Sequence, residues 1–338
     1  MTGPDGSKAG GSTAAGSEPA ADGGSDSAGT VTWRELLADA TSALQVAAAQ
    51  PHRSAADHSG GEPSDVAAAA DPTLDAARIV AEAAGVTDAE LFMVLDELAT
   101  TRGVAHLDAM VRRRSGGEPL QYVLGHWPFR YLDLMVDRRV LIPRPETEQV
   151  VEAALRELDR MGGKDRPTTV VDLGTGSGAI ALAIATERVR TAVWATDLSA
   201  DALDVARANL AGTGRAGARV RMEQGAWFDA LPDTLARSVD LIVSNPPYVA
   251  STANLSATVT DWEPASALFA GTDGLDDLRT LIAGAPRWLG DHGVLVCELS
   301  PEQGPTVLDL ALVHFGEVEL APDLTGRDRA LVARHPRR

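Results

Sequence analysis

Thr169-Val170-Val171-Asp172-Leu173-Gly174-Thr175-Gly176-Ser177-Gly178 decides the fold. Its first five residues make an apolar, β-branched run of strand length. The glycines that follow lead into a helical stretch at about 178–187. A strand that meets a helix through a glycine-rich turn lets the backbone approach a ligand and exposes the helix amides to it. Downstream, Ala192–Thr196, Val220–Glu223, Leu241–Ser244 and Val294–Glu298 read as further strands, with helices at about 200–211 and 275–289. This alternation predicts an α/β fold, a Rossmann-like doubly wound sheet. The last two runs, Val318–Leu320 and Ala330–Ala333, lie too close together for a helical crossover and fit an antiparallel edge hairpin.

Upstream the chain reads differently. Residues 1–30 are mostly Gly, Ala, Ser and Asp, too poor in large apolar side chains to offset their ordering entropy, and are expected to form a disordered tail. Residues 31–116 carry helical patterns. Thr32 and Glu35 fit a capping box before Trp33, Leu36, Leu37, Ala40 and Leu44, and Asp71-Pro72 opens a second helix that ends near Gly85. Thr87 and Glu90 suggest another capping box before Leu91, Phe92, Leu95 and Leu98, and a fourth helix spans about 104–114. A flexible insertion is expected at about 50–72; His52 and His58 within it lack a matching ligand set and read as solvated. Residues 117–148 predict a hairpin linker, with Asp137-Arg138-Arg139 as a turn, and Pro143-Arg144-Pro145-Glu146 breaks the chain before a helix at about 146–160. The α/β unit then runs from 149 to 338.

The chain has 338 residues, a net charge of −18 and one cysteine, Cys297. A lone cysteine inside the apolar run 293–297 excludes an intrachain disulfide framework and reads as a buried thiol. The acidic balance argues against direct nucleic-acid binding. No apolar stretch reaches membrane-spanning length, and the start lacks the pattern of a signal peptide, so the expected compartment is the cytoplasm. Arg112-Arg113-Arg114 reads as a solvated helix face.

Three features carry chemistry. The glycine turn alone also satisfies a dinucleotide fingerprint, which leaves a dehydrogenase open. Asp197 ends the second strand of the parallel set, where a carboxylate can accept ribose hydroxyls; its simpler reading is a helix cap before Ser199. Asn245-Pro246-Pro247-Tyr248 ends the fourth strand, beside the first. As prolines they could merely stop the strand. A methyltransferase acting on a planar nitrogen has a use for this corner. The Asn245 side-chain oxygen and the Pro246 carbonyl would accept the two N–H hydrogens, aiming the lone pair, while Tyr248 packs on the flat face. No dedicated base and no metal is required.

These features together resemble class I S-adenosylmethionine methyltransferases, and further segments resemble the release-factor glutamine N5-methyltransferase family in particular. They are Gly117-Glu118-Pro119-Leu120-Gln121-Tyr122-Val123-Leu124-Gly125, Leu141-Ile142-Pro143-Arg144-Pro145-Glu146-Thr147-Glu148, Trp227-Phe228, Trp262-Glu263-Pro264, Asp273-Gly274-Leu275 and Leu324-Thr325-Gly326-Arg327-Asp328-Arg329. The match covers about residues 31–49 and 73–335. It implies that Gly174, Thr175, Gly176, Ser177, Gly178, Asp197, Trp227 and Asn245 contact S-adenosyl-L-methionine, with Trp227 beside the adenine. It further implies that Asn245, Pro246, Pro247 and Tyr248 hold the glutamine of the Gly-Gly-Gln motif of peptide-chain release factors and that the helical domain helps dock the factor. Apart from the resemblance, a monomer is expected. Trp227 also has a reading as a core aromatic. Many relatives carry an acidic residue where this chain has Ala226, which puts that adenine contact in question. A nucleic-acid adenine N6-methyltransferase is the alternative enzyme, and a non-catalytic module retaining the fold is a third reading.

Overall fold

Along the central strands, buried side chains alternate between two faces. Val170, Leu241, Val243, Val294 and Val296 meet one helical layer, and Val171, Ile242, Leu295 and Cys297 meet the other. Strands buried on both faces need apolar residues at successive positions, which is why these runs read as continuous rather than alternating. The computed structural model describes residues 28–50 and 71–338. The disordered-tail expectation for residues 1–27 and most of the proposed insertion, including His52 and His58, lie outside the described residues.

The N-terminal unit comprises β1 (Ala28–Thr32), α1 (Trp33–Ala49), α2 (Pro72–Ala84), α3 (Leu91–Val94), β2 (Leu98–Thr100), α4 (Thr101–Ser115) and α5 (Leu120–Leu124). The Thr32–Glu35 capping box forms as read, and Asp71 caps α2. Three expectations change here. The helix expected after Thr87 shrinks to the single turn of α3, because Leu98 turns outward and its segment pairs with β1, which itself begins inside the presumed tail. The arginine cluster is a solvated face only in part: Arg112 and Arg113 are exposed, but Arg113 grips Glu118 and the carbonyls of Tyr122 and Val123, and Arg114 grips Asp75 at 2.7 Å. The hairpin of β3 (His126–Phe129) and β4 (Leu132–Met135) turns at Arg130-Tyr131, while Asp137–Arg139 makes a separate turn beyond it.

The catalytic unit follows as α6 (Pro145–Arg160), β5 (Thr168–Leu173), α7 (Ala179–Glu187), β6 (Thr191–Asp197), α8 (Ala200–Gly212), β7 (Val220–Gln224), β8 (Val239–Ser244), α9 (Ala257–Thr260), α10 (Asp276–Trp288), β9 (Leu289–Glu298), α11 (Gly304–His314), β10 (Phe315–Pro322) and β11 (Asp328–Pro336). The sheet order is β10-β11-β9-β8-β5-β6-β7. β5 to β9 pair in parallel, and β11 inserts antiparallel between β9 and β10. The expected edge hairpin is present; the unexpected helix α11 precedes it. Cys297 is fully buried in the α10–α11 layer, and that burial pushes its thiol up.

The strand order reverses between β5 and β8, so the carboxyl ends of these two strands flank the crevice where an open α/β sheet binds ligands. The connector is pinned there. Tyr122, Val136, Val140 and Ile142 pack against Ala202 and Val205 of α8, and the Tyr122 hydroxyl donates to the Val140 carbonyl at 2.6 Å. The helical unit is thereby tied to the crevice wall.

Candidate active site

The glycine turn is held from three sides. Gly174 and Thr175 both donate to the Thr196 carbonyl of β6 at 2.9 Å, and Gly174, Gly176 and Gly178 take positive φ. Beneath the turn, Asp172 accepts from the Thr175 hydroxyl at 2.6 Å and from the Ala181 amide at 3.1 Å, bracing the turn against the start of α7. Full burial pushes the Asp172 carboxyl up to about 7, and its Oδ1 finds no partner.

Asp197 ends β6 with one oxygen accepting from Gly176 at 2.8 Å and the other from Ser199 at 2.9 Å. The cap of α8 is Ser199, whose hydroxyl accepts from Ala202, so Asp197 orients the loop and does not serve as the cap itself. Burial raises its carboxyl. A carboxylate with one backbone donor on each oxygen keeps lone pairs for a ligand hydroxyl.

These groups line one cavity of about 310 Å³. Gly174 to Ser177, Asp197, Trp227, Asn245 and Pro247 all face it, so the structure brings together residues spread over 74 positions of sequence. Gly178 and Pro246 do not line it. Gly178 is the N-cap of α7, close against Leu182 and Ala206, and Pro246 is buried. Trp227 packs as a core aromatic and also borders the cavity. Its indole packs with the α10–α11 core, closes over Gly174 and forms a cavity wall, with the backbone strained to φ 48°.

A second cavity of about 40 Å³ adjoins the first, and Asn245, Leu141 and Ala267 border both. Tyr248 lines only this smaller one. Ser244, the last residue of β8, donates to the Leu173 carbonyl at 2.6 Å, which sets the Asn245 corner level with the glycine turn.

Several wall residues escaped sequence reasoning. Val140, Leu141 and Pro143 of the connector line the large cavity, as does Thr147 from the first turn of α6. The Asn245 side-chain amide donates to Thr147 Oγ1 at 3.1 Å; the Thr147 hydroxyl donates to Glu298 Oε2 at 2.7 Å; and the Tyr248 hydroxyl reaches Glu298 Oε1 at 3.3 Å. Glu298 is fully buried and its carboxyl is pushed up to about 7, while burial and this neighbour push the Tyr248 hydroxyl up. The one signal in the sequence is weak and names no partner: an acidic residue at the end of an apolar strand is costly unless something holds it.

The cavity suits S-adenosylmethionine. Its volume lies at the lower end of the range for small-molecule pockets, about 300–1,000 Å³. Asp197 offers acceptors to a ribose, Trp227 an apolar face to a base, and a Cβ at Gly176 would meet only open space. With a planar amide at the adjacent strand end, this arrangement defines a class I S-adenosylmethionine-dependent methyltransferase.

Comparison with known proteins narrows the class. A family profile described as "Methyltransferase small domain" matches residues 153–263, and one described as "PrmC N-terminal domain" matches residues 65–125. The release factor glutamine methyltransferase of Xylella fastidiosa (strain 9a5c) is 44% identical over 266 residues, covering 78% of this chain and 93% of that one. Its counterpart in Bifidobacterium longum (strain NCC 2705) is 41% identical over 275 residues, with 78% and 92% covered. That of Rhodopirellula baltica (strain DSM 10527 / NCIMB 13988 / SH1) is 38% identical over 268 residues, with 77% and 88% covered. The chain belongs to the release factor glutamine methyltransferase family.

Proposed function

We propose that the enzyme methylates the side-chain N5 of the glutamine in the Gly-Gly-Gln motif of bacterial peptide-chain release factors. The observation that carries this reading is Asn245 on the border of two cavities, one of cofactor size and one lined by Tyr248. S-adenosylmethionine, when bound, supplies a methyl group on a sulfonium and so needs no further activation. The work left to the chain concerns the acceptor. An amide nitrogen is a poor nucleophile because its lone pair is delocalised into the carbonyl. Asn245 Oδ1 and the Pro246 carbonyl accept its two hydrogens, hold its lone pair toward the larger cavity and stabilise charge that develops on nitrogen. Tyr248 and Pro247 limit its tilt. The proton leaves once the nitrogen has become cationic and strongly acidic, so no dedicated base is needed.

In this reading Gly174 to Ser177 with Asp197 and Trp227 hold the cofactor, and Gly178 serves only the turn into α7. Residues 31–116 form a docking domain for the release factor, residues 117–148 a linker that also walls the crevice, and residues 149–338 the catalytic domain. The enzyme acts as a cytoplasmic monomer. Among the described residues no helix is long and apolar enough to cross a membrane. An adenine acceptor in nucleic acid is disfavoured by the net charge of −18 and by the relatives' name. Incubation with labelled S-adenosylmethionine and a release factor tests the proposal. Label appears on the Gly-Gly-Gln glutamine, and Asn245→Ala abolishes it while the variant stays folded. Label on nucleic acid at a competing rate, or full activity of Asn245→Ala, overturns it.

A further inference from the structure

A carboxamide is nearly symmetric in shape but not in chemistry: a half-turn about its last bond exchanges an acceptor for a donor. The proposed role of Asn245 needs the acceptor on the substrate side. Something must therefore select one of the two orientations.

The selection is made 98 residues away in sequence. Thr147 is buried and has a single hydroxyl hydrogen. That hydrogen goes to Glu298 Oε2 at 2.7 Å, a carboxylate without exposed surface. Towards Asn245, Thr147 then presents only lone pairs. The group that can meet them is Nδ2, at 3.1 Å, so Oδ1 points the other way. The flipped carboxamide would set oxygen against oxygen and lose the bond. The second oxygen of Glu298 takes the longer hydrogen bond from the Tyr248 hydroxyl at 3.3 Å. One buried carboxylate thus anchors both ends of the Asn245–Tyr248 corner.

We propose that Thr147, anchored on Glu298, is a positioning residue that locks the Asn245 carboxamide with its oxygen facing the acceptor nitrogen. This rests on the reading that Asn245 binds the acceptor amide.

The lock is complete when Glu298 is ionised, since a carboxylate only accepts. The groups facing it are Thr147 and Glu146 from α6, Tyr248 from the corner and Arg329 from β11. Burial opposes the charged form, as Glu146 does to a lesser degree; the hydrogen bonds from Thr147 and Tyr248 and the charge of Arg329 favour it, and the balance sits at about 7. A proton on Glu298 Oε2 turns that oxygen into a donor and frees the Thr147 hydrogen to rotate towards Asn245. Turnover therefore climbs as pH rises through this range.

Steady-state kinetics with labelled S-adenosylmethionine and a release factor test the lock in Thr147→Val, Thr147→Ser, Glu298→Gln and Asn245→Ala, each checked for folding by circular dichroism. Misorientation of a reacting group costs up to about 100-fold in rate, so Thr147→Val is expected to lose about 10- to 100-fold in kcat with KM for the cofactor unchanged. Thr147→Ser restores most of that loss. Glu298→Gln leaves a single acceptor oxygen for the two hydroxyls of Thr147 and Tyr248, is expected to lose part of the rate, and no longer shows the rise near neutral pH. A folded Thr147→Val at wild-type kcat beside an inactive Asn245→Ala overturns the lock and leaves the acceptor reading standing. Equal losses in the Val and Ser variants with a lowered melting point also overturn it, because they make Thr147 a packing residue. An active Asn245→Ala overturns the acceptor reading and the lock with it.

Discussion

Arg144 and Glu263 lie 119 residues apart in sequence and form an ion pair of 2.5 Å, with side chains only 16% and 2% exposed. The same Glu263 carboxylate accepts from the Ile142 amide at 3.1 Å. One side chain thus clamps the connector, whose Leu141 and Pro143 wall the crevice, to the loop that supplies Pro264 and Ala267 on the facing side. Removing one partner of a buried pair leaves an uncompensated charge and costs about 3–5 kcal/mol. Glu263→Ala is expected to lower stability by that order in urea unfolding, and to raise KM for the release factor because both walls loosen. A change below about 1 kcal/mol, the ordinary worth of an exposed pair, would show that the clamp does not hold the crevice.

The sheet and its ligand end were legible because local chemistry and tertiary placement agree there. The strand runs at 169–173 and 241–244 are buried on both faces, and the glycine turn needs positive φ where only glycine adopts it freely. The segment after Thr87 was misread because Leu98 has helical spacing yet faces solvent; pairing between β1 and β2, distant in sequence, overrode the local pattern. Arg114 looked solvated because its partner Asp75, 39 residues away, becomes a neighbour only on folding. Thr147 and Glu298 stayed invisible for the same reason: 151 residues separate them, and neither has a reactive group that draws notice alone.

Gly174 and Gly176 separate two costs of the glycine turn. Both take positive φ, at 72° and 55°, where a side chain costs about 1–2 kcal/mol. A Cβ at Gly174 would also come within 3.2 Å of the Trp227 ring, whereas one at Gly176 meets nothing within 4 Å. Gly174→Ala is therefore expected to unfold at lower denaturant than Gly176→Ala. Gly176→Ala carries the backbone cost alone, about 1–2 kcal/mol, and loses affinity for S-adenosylmethionine in calorimetry, as its methyl projects into space that a ligand would use. Equal stability losses would mean that Trp227 does not depend on a bare Gly174.

Asp277, in the first turn of α10, lines the cavity with Asp197, and the two are its only carboxylates among the described residues. Burial and then the adjacent Asp276 raise its carboxyl, while a hydrogen bond from the Trp227 side chain opposes them. With Ala226 offering no carboxylate, Asp277 is the cavity's second acidic side chain and stands beside the Trp227 indole. Asp277→Ala removes this acceptor, and loss of a hydrogen bond worth about 1 kcal/mol is expected to weaken cofactor affinity by somewhat under tenfold. Asp277→Asn retains an acceptor and loses less. Quenching of Trp227 fluorescence on titration with S-adenosylmethionine reads both; an unchanged dissociation constant in Asp277→Ala would remove this residue from the site.

Asp172 makes the protein less stable as pH rises. Its folded carboxyl is raised to about 7, against an ordinary value of about 3.9 in an unfolded chain. Below about 4 both states are protonated and the group contributes nothing. Between there and 7 the unfolded state releases its proton while the folded state keeps it, so the folded state binds more protons and stability declines with pH, levelling off above 7. The total is on the order of a few kcal/mol. Asp172→Asn removes the charge that burial penalises. Its carbonyl can still accept from Thr175 and Ala181, the two bonds that Oδ2 accepts now, and its amide occupies the position where Oδ1 has no partner. The variant is expected to melt higher than wild type at pH 8 and to lose most of the pH dependence between 4 and 7. Because the turn keeps its brace, cofactor affinity should survive the change. A lower melting point at pH 8 would mean that the carboxylate, not its shape, holds the glycine turn in place.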